Sequence, residues 1–196
     1  LVVAGTATVN ISGNPSITDL NAIAAKTDGV VTATLASTTA ADLANITTAS
    51  TDLITATVGD DAGENIAATV LSGIGGKTGG VVTATNAINI TGTTAQVKAA
   101  LVDTDTLVVA GTATAAIGDN AAVNIAATDL SGIGNKTTGA VTVTNAINIT
   151  GTTAEVKAAL VDTDTLVVAA TATAAIGDDA AVNIAATDLS GIGNKT

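Results

Sequence analysis

The sequence predicts a solenoid, β-rich or α/β, in which tandem units of strand, loop and short helix stack around a thin aliphatic core. Repetition is the first observation behind this. Residues 101–137 recur as residues 160–196, a shift of 59, with only Gly111/Ala170 and Asn120/Asp179 changed, and weaker copies reach back to residue 1. A shorter period inside the long one is the second. Thr-Ala-Thr, once Thr-Val-Thr, occurs at Thr6/Thr8, Thr32/Thr34, Thr55/Thr57, Thr83/Thr85, Thr112/Thr114, Thr142/Thr144 and Thr171/Thr173, at spacings of 26, 23, 28, 29, 30 and 29. The third observation is what fills the interior. Hydrophobic residues are 47% of the chain, yet Phe, Trp, Tyr, Met and Cys are absent, so the core is Val, Ile, Leu and Ala. A deep globular centre normally uses large aromatic side chains, because voids in a close-packed interior are costly. Stacked small aliphatics suffice for a thin one.

The threonine spacing gives seven units, near residues 1–28, 29–52, 53–79, 80–106, 107–138, 139–165 and 166–196, in one continuous segment without a domain boundary. Each opens on a β-branched run such as "VVTAT" (81–85) or "AVTVT" (140–144). Val141 and Val143 alternate there with Thr142 and Thr144, the pattern of a strand with one face buried and its Thr face outward. In most units a second short strand follows, as where Ile147 and Ile149 alternate in "NAINITG" (145–151).

A short helix comes next. Thr152-x-x-Glu155 and Thr93-x-x-Gln96 match the capping box, and Ser16-x-x-Asp19 and Thr39-x-x-Asp42 are acidic relatives of it. Behind these signals Val156, Ala159 and Leu160 fall on one helical stripe, as do Leu20 and Ile23, and Leu43 and Ile46. Isolated helices shorter than about 12 residues are marginal in water, so these need neighbouring units to bury the stripe. The unit closes on "KTDG", "KTGG" or "KTTG", where Gly relaxes the backbone before the next strand. Pro15, the single proline, sits just before the first helix signal, where a helix start tolerates it. The strand-like "LVVAGTAT" at residue 1 recurs at Leu107, and the closing "LSGIGNKT" leads in its earlier copy straight into another strand. Both ends are therefore expected to continue into further repeat.

A net charge of −11, with only six Lys or Arg, disfavours nucleic acid and anionic membrane surfaces as partners. No membrane span is expected, since the longest uncharged stretch, "TGGVVTATNAINITGTTAQV", is crowded with Thr, Asn and Gly. Without cysteine there is neither a disulfide framework nor thiol chemistry.

With this grammar in view, "ITDLNAIAAKTDGVVTATLASTTAADLANIT" (17–47) resembles the repeats of giant, aromatic-poor, Thr/Ala-rich surface proteins of bacteria, especially marine cyanobacteria. The resemblance covers essentially the whole chain and rests on the alternation of Thr-rich strands with "T-A-x-L-x-x-I" helices. Such proteins are regarded as adhesins, surface-layer components or motility-associated sheath proteins. The resemblance thus implies secretion to the cell surface and a structural role in a fibre, sheath or layer. Self-association, end to end or lateral, is the expected partnership. An adhesin or ice-binding module presenting the Thr-x-Thr ladder is the alternative.

Catalysis is not expected. Without His, Cys or Tyr the general bases and nucleophiles reduce to Asp, Glu, Lys, Ser and Thr, and near-identical copies would duplicate any single active site. No cofactor is expected either, with calcium left open because it takes carboxylate and carbonyl oxygens. Its candidates are Asp103 and Asp105 in "VDTDT", Asp162 and Asp164 in the copy, and the turns at Asp60/Asp61, Asp119/Asn120 and Asp178/Asp179. The same residues also read as solvated turn carboxylates that cap the backbone, and neither motif matches an EF-hand loop or the Gly-rich calcium nonapeptide.

The pairs Thr32/Thr34, Thr55/Thr57, Thr83/Thr85, Thr112/Thr114, Thr142/Thr144 and Thr171/Thr173 offer a candidate ligand surface that resembles the threonine rows of ice-binding solenoids. Thr is also simply a good outward-facing strand residue, and uneven spacing with inserted helices works against a flat array. Asn-x-Ser/Thr at Asn10, Asn45, Asn89, Asn135, Asn148 and Asn194 is what abundant Asn and Thr produce by chance. "SGIGGKT" ends like a phosphate loop at Gly76, Lys77 and Thr78, but Leu71 stands where the first glycine belongs, and a helix exit explains it better.

Overall fold

Strands and short helices alternate along the computed structural model, which describes residues 5–106, 108–165 and 167–196. The expected strand-like run at Leu1, Val2, Val3 and Ala4, and the Leu107 and Leu166 that begin its copies, lie outside the described residues. In chain order the elements are β1 (Val9–Asn10), α1 (Ile17–Ala24), β2 (Val31–Thr34), α2 (Ala40–Leu43), β3 (Leu53–Val58), β4 (Asn65–Ala67) and α3 (Ala68–Gly75). Then come β5 (Val82–Ala84), β6 (Asn89–Gly92), α4 (Thr94–Leu101), a 3-10 turn (Thr104–Thr106), β7 (Val108–Val109), β8 (Thr114–Ile117), β9 (Asn124–Ala126) and α5 (Ala127–Gly134). The last are β10 (Val141–Val143), β11 (Asn148–Gly151), α6 (Thr153–Leu160), β12 (Val167–Val168), β13 (Thr173–Ile176) and α7 (Ala186–Gly193).

The strands form three sheets, ordered β1-β2-β3-β5-β7, β12-β10-β8-β6-β4 and β13-β11-β9, and every described pair is parallel. Parallel neighbours need a long crossover. Here each strand lies beside one 21 to 26 residues further on, and the rest of that pass supplies the crossover. Alternation then sorts the side chains. Across the second sheet Ile66, Ile90, Ala115, Val141 and Val167 are partner to partner, and all five are buried. The helices add Leu71 and Ile74, Val97 and Leu101, Leu130 and Ile133, and Val156 and Leu160 to the same aliphatic core. Helix α3 lies against α4, and α5 against α6.

All four helix-start signals are realised. Ser16, Thr39, Thr93 and Thr152 each cap a helix through the side chain, and Thr93/Gln96 and Thr152/Glu155 close full capping boxes. Helix α2 is only four residues long, so Ile46 is buried but lies beyond the helix on which its stripe was expected. Helices α3, α5 and α7 carry no start signal, because β4 and β9 run directly into α3 and α5, and Ala67, Ala126 and Ala185 stand at the cap positions without a side-chain bond. The closing glycines also differ from expectation. Gly29, Gly80 and Gly139 are not among the glycines with positive φ, which are Gly13 and Gly63. They are small because a Cβ there would run into the carbonyls of Ala7, Ile54 and Ala113 on the neighbouring pass.

The long repeat and the pairing step do not match. Two steps carry Ile90 through Ala115 to Val141, 51 residues, whereas the repeat is 59, an excess of eight. Val82 is eight residues before Ile90 and 59 before Val141, so each copy falls in line with the next strand of the earlier one. Thus β5 and β7 belong to the first sheet and their copies β10 and β12 to the second, while β6 and β8 belong to the second and their copies β11 and β13 to the third.

Candidate functional site

Polar side chains work mainly between neighbouring passes. Asp119 Oδ2 accepts from the Thr94 backbone N–H (2.7 Å) and the Thr94 hydroxyl (2.6 Å), at the first residue of α4. Asp178 repeats this at α6, accepting from Thr153 N–H (3.0 Å) and hydroxyl (2.5 Å), and Asp60 accepts from Ala40 N–H (2.6 Å) at α2. Each carboxylate satisfies an amide that a helix leaves unpaired in its first turn, and each brings negative charge to the positive end of the helix dipole. The cap comes from the pass that follows the helix.

Two short ladders run across the passes. Asn89 Nδ2 donates to Asn65 Oδ1 (2.5 Å) and the Thr114 hydroxyl donates to Asn89 Oδ1 (3.0 Å). Their copies are Asn148 to Asn124 (3.1 Å) and Thr173 to Asn148 (2.6 Å). Threonines of the closing turns add bonds of the same kind. Thr27 Oγ1 donates to Ala7 C=O (2.5 Å), Thr137 Oγ1 donates to Ala113 C=O, and the buried Thr78 Oγ1 accepts from Ile54 N–H (2.7 Å). Asp52 is buried, with its two oxygens taking Val31 N–H (2.8 Å) and Ala49 N–H (2.9 Å).

Lysines link helices across the boundary between repeats. Lys98 reaches Asp129 and Lys157 reaches Asp188, both at 2.8 Å and both partly exposed. The hydrogen bond to the partner carboxylate, with its charge, holds each ammonium above the ordinary lysine range. Lys77 Nζ donates to the Ala44 carbonyl at 2.8 Å, just past the end of α2.

The remaining sequence candidates are scattered. Asp61, Asp103, Asp105, Asp162, Asp164 and Asp179 are exposed, and among the described residues no three carboxylates come together as a metal site. Thr34, Thr55, Thr85, Thr112, Thr142, Thr144 and Thr171 are exposed, and Thr32, Thr57 and Thr83 half-buried. Register brings Thr34 beside Thr55 and Thr57 beside Thr83, but it sets Thr32 against Leu53, Thr83 against Val109, and Thr142 between Ala116 and Val168. Thr114 and Thr173 belong to the asparagine ladders. The motif spacing of 23 to 30 residues differs from the pairing step, so the pairs do not form one continuous rank. A groove of about 450 Å³ lies between the starts of α1 and α2, lined by Pro15, Ile17, Leu35, Thr38 and Asp42, and its carboxylate accepts from the Thr38 hydroxyl (2.7 Å).

Comparison with known protein families, curated proteins and solved structures found no match. The geometry alone therefore carries the reading. Among the described residues no helix is long and apolar enough to cross a membrane.

Sequence reasoning missed the capping role of Asp60, Asp119 and Asp178, the buried Asp52, and the stapling threonines Thr27, Thr78 and Thr137. Their signal was present as a fixed distance: each Asp follows the helix start it caps by 20 or 25 residues, one pairing step or slightly less.

Proposed function

We propose that the chain is a structural repeat segment, a solenoid whose passes stack along one axis, and that it belongs to a secreted or cell-surface fibre, sheath or surface layer. One observation carries this reading. The side-chain chemistry that recurs 59 residues apart joins one pass to the next: the carboxylate caps at Thr94 and Thr153, the two asparagine ladders and the two lysine bridges. Stability is then a sum of neighbour contacts, and length grows by copying.

No catalytic group and no cofactor enters this function, and the aspartates of the turns serve as caps. The alternative reading as an adhesin or ice-binding module asks for an unbroken threonine rank, and the register supplies none. Electron microscopy of the native protein as it leaves the cell tests the proposal. Continuous fibres or sheets are expected, and isolated short rods in the medium, or retention inside the cell, overturn it.

A further inference from the structure

The last pass presents uncovered the residues that its earlier copy buries. In the earlier copy β9 pairs with β11. Asn148 N–H donates to Val123 C=O (2.9 Å), Ala122 N–H donates to Ala146 C=O (2.8 Å), and α5 lies along α6. Ile125 and Leu130 are 5% and 0% exposed beneath that cover. Their counterparts Ile184 and Leu189 are 37% and 45% exposed, and Val182 is 52% exposed. What covers the earlier copy is a strand Asn148-Ile149-Thr150-Gly151 followed by a helix capped at Thr152.

The first described pass offers the same arrangement at the opposite end. Asn10-Ile11-Ser12-Gly13 repeats the strand, and Ser16 caps α1 in the place of Thr152, with two residues more before the cap and two fewer before the strand. Strand β1 pairs on one side only. Val9 N–H and Ile11 N–H donate to Val30 C=O and Thr32 C=O on that side (both 2.9 Å), so the Asn10 N–H points to the open edge, as the Asn148 N–H points to Val123. Val9, Ile11 and Ile17 are half-buried there.

We infer that the occupant of the last pass is a second copy of this chain, docked head to tail. Its Asn10-Ile11 edge lies along Asn183-Ile184, with Asn10 N–H on Val182 C=O, and its α1 lies along α7 over Leu189. The inference rests on the stacked-pass reading above and names its partner surfaces. Such a contact joins two different faces, so it propagates into open filaments instead of closing into a dimer. The parallel edges and aliphatic patches on both faces are those that already join passes within the chain.

Sedimentation velocity of the full chain and two variants tests this. Leu189→Asp charges the exposed tail position, and Asn10→Pro removes the donor at the open edge without touching the bonds to β2. Unaltered chain is expected to grow into longer species with concentration, each variant alone to associate at least about tenfold more weakly, and an equal mixture of the two to stop at a dimer. Should Asn10→Pro lose its circular dichroism signature, Asn10→Asp combined with Ile11→Lys replaces it. A chain that stays monomeric, association unaffected by both variants, or closed dimers of unaltered chain each overturns the inference. These outcomes concern only the docking surfaces, whereas secretion and fibre formation by the native protein are read separately by microscopy.

Discussion

Residues 101–137 and 160–196 differ at two positions, yet they do not have the same structure. In the first, Asn124–Ala126 is a strand, while the same tripeptide at residues 183–185 is not. Nothing local separates them. The difference is β11, which lies beside the first and has no equivalent beside the second. Strand formation here is thus conferred by the next pass, in keeping with β-propensity as a fit to a half-buried pleated surface instead of an intrinsic preference. Helices α5 and α7 form in both places, because the bonds of a helix close within the segment.

Substitutions at matched positions sharpen this contrast. The largest effect is expected at Leu130, where truncation to Ala leaves a cavity and costs about 2–5 kcal/mol. The same change at the exposed Leu189 is expected to cost about 0.5 kcal/mol or less. Urea unfolding of the two variants measures the gap, and equal losses would show that the last pass is covered after all.

Contacts that point back along the chain are expected to behave differently, because both copies have a pass behind them. Asp119→Ala and Asp178→Ala each remove a helix cap, at about 1–2 kcal/mol, and the two losses should agree. A much smaller loss at Asp178 would break the symmetry argued from Thr94 and Thr153.

The smallest effect concerns Lys98 and Lys157. Folding raises both pKa values, so each lysine contributes stability that is complete below the ordinary lysine pKa and is lost as pH rises through the folded value. Both pairs are solvent-exposed and screened. Melting temperature is expected to fall slightly more between neutral and strongly alkaline pH in the unaltered chain than in Lys98→Met, and identical profiles would remove the bridge from the account.

The sequence made visible what depends on one segment and hid what depends on two. Val141 and Val143 could be placed inside and Thr142 outside from alternation alone, and Thr93-x-x-Gln96 announced its helix because donor and acceptor lie within a single turn. Asp119 could not be assigned, since its partner Thr94 is 25 residues away and no local pattern relates them. The glycines of the closing turns show the same limit. Their type and spacing stood out, but the reason lies in carbonyls of another pass. Helices α3 and α5 were read only at their ends because a strand feeds each directly, and a strand-to-helix junction needs no capping side chain to be entered.

The eight-residue excess of the repeat over two pairing steps bears on how such a gene can change length. Every inter-pass contact reaches only to the adjoining pass, so loss or gain of one 59-residue block by unequal recombination leaves each junction chemically intact. What changes is orientation: everything beyond the junction turns by one sheet position relative to what precedes it. Length variants of this kind would fold alike while carrying their helices on different sides, giving mutation a way to reorient a surface without altering a single codon of it.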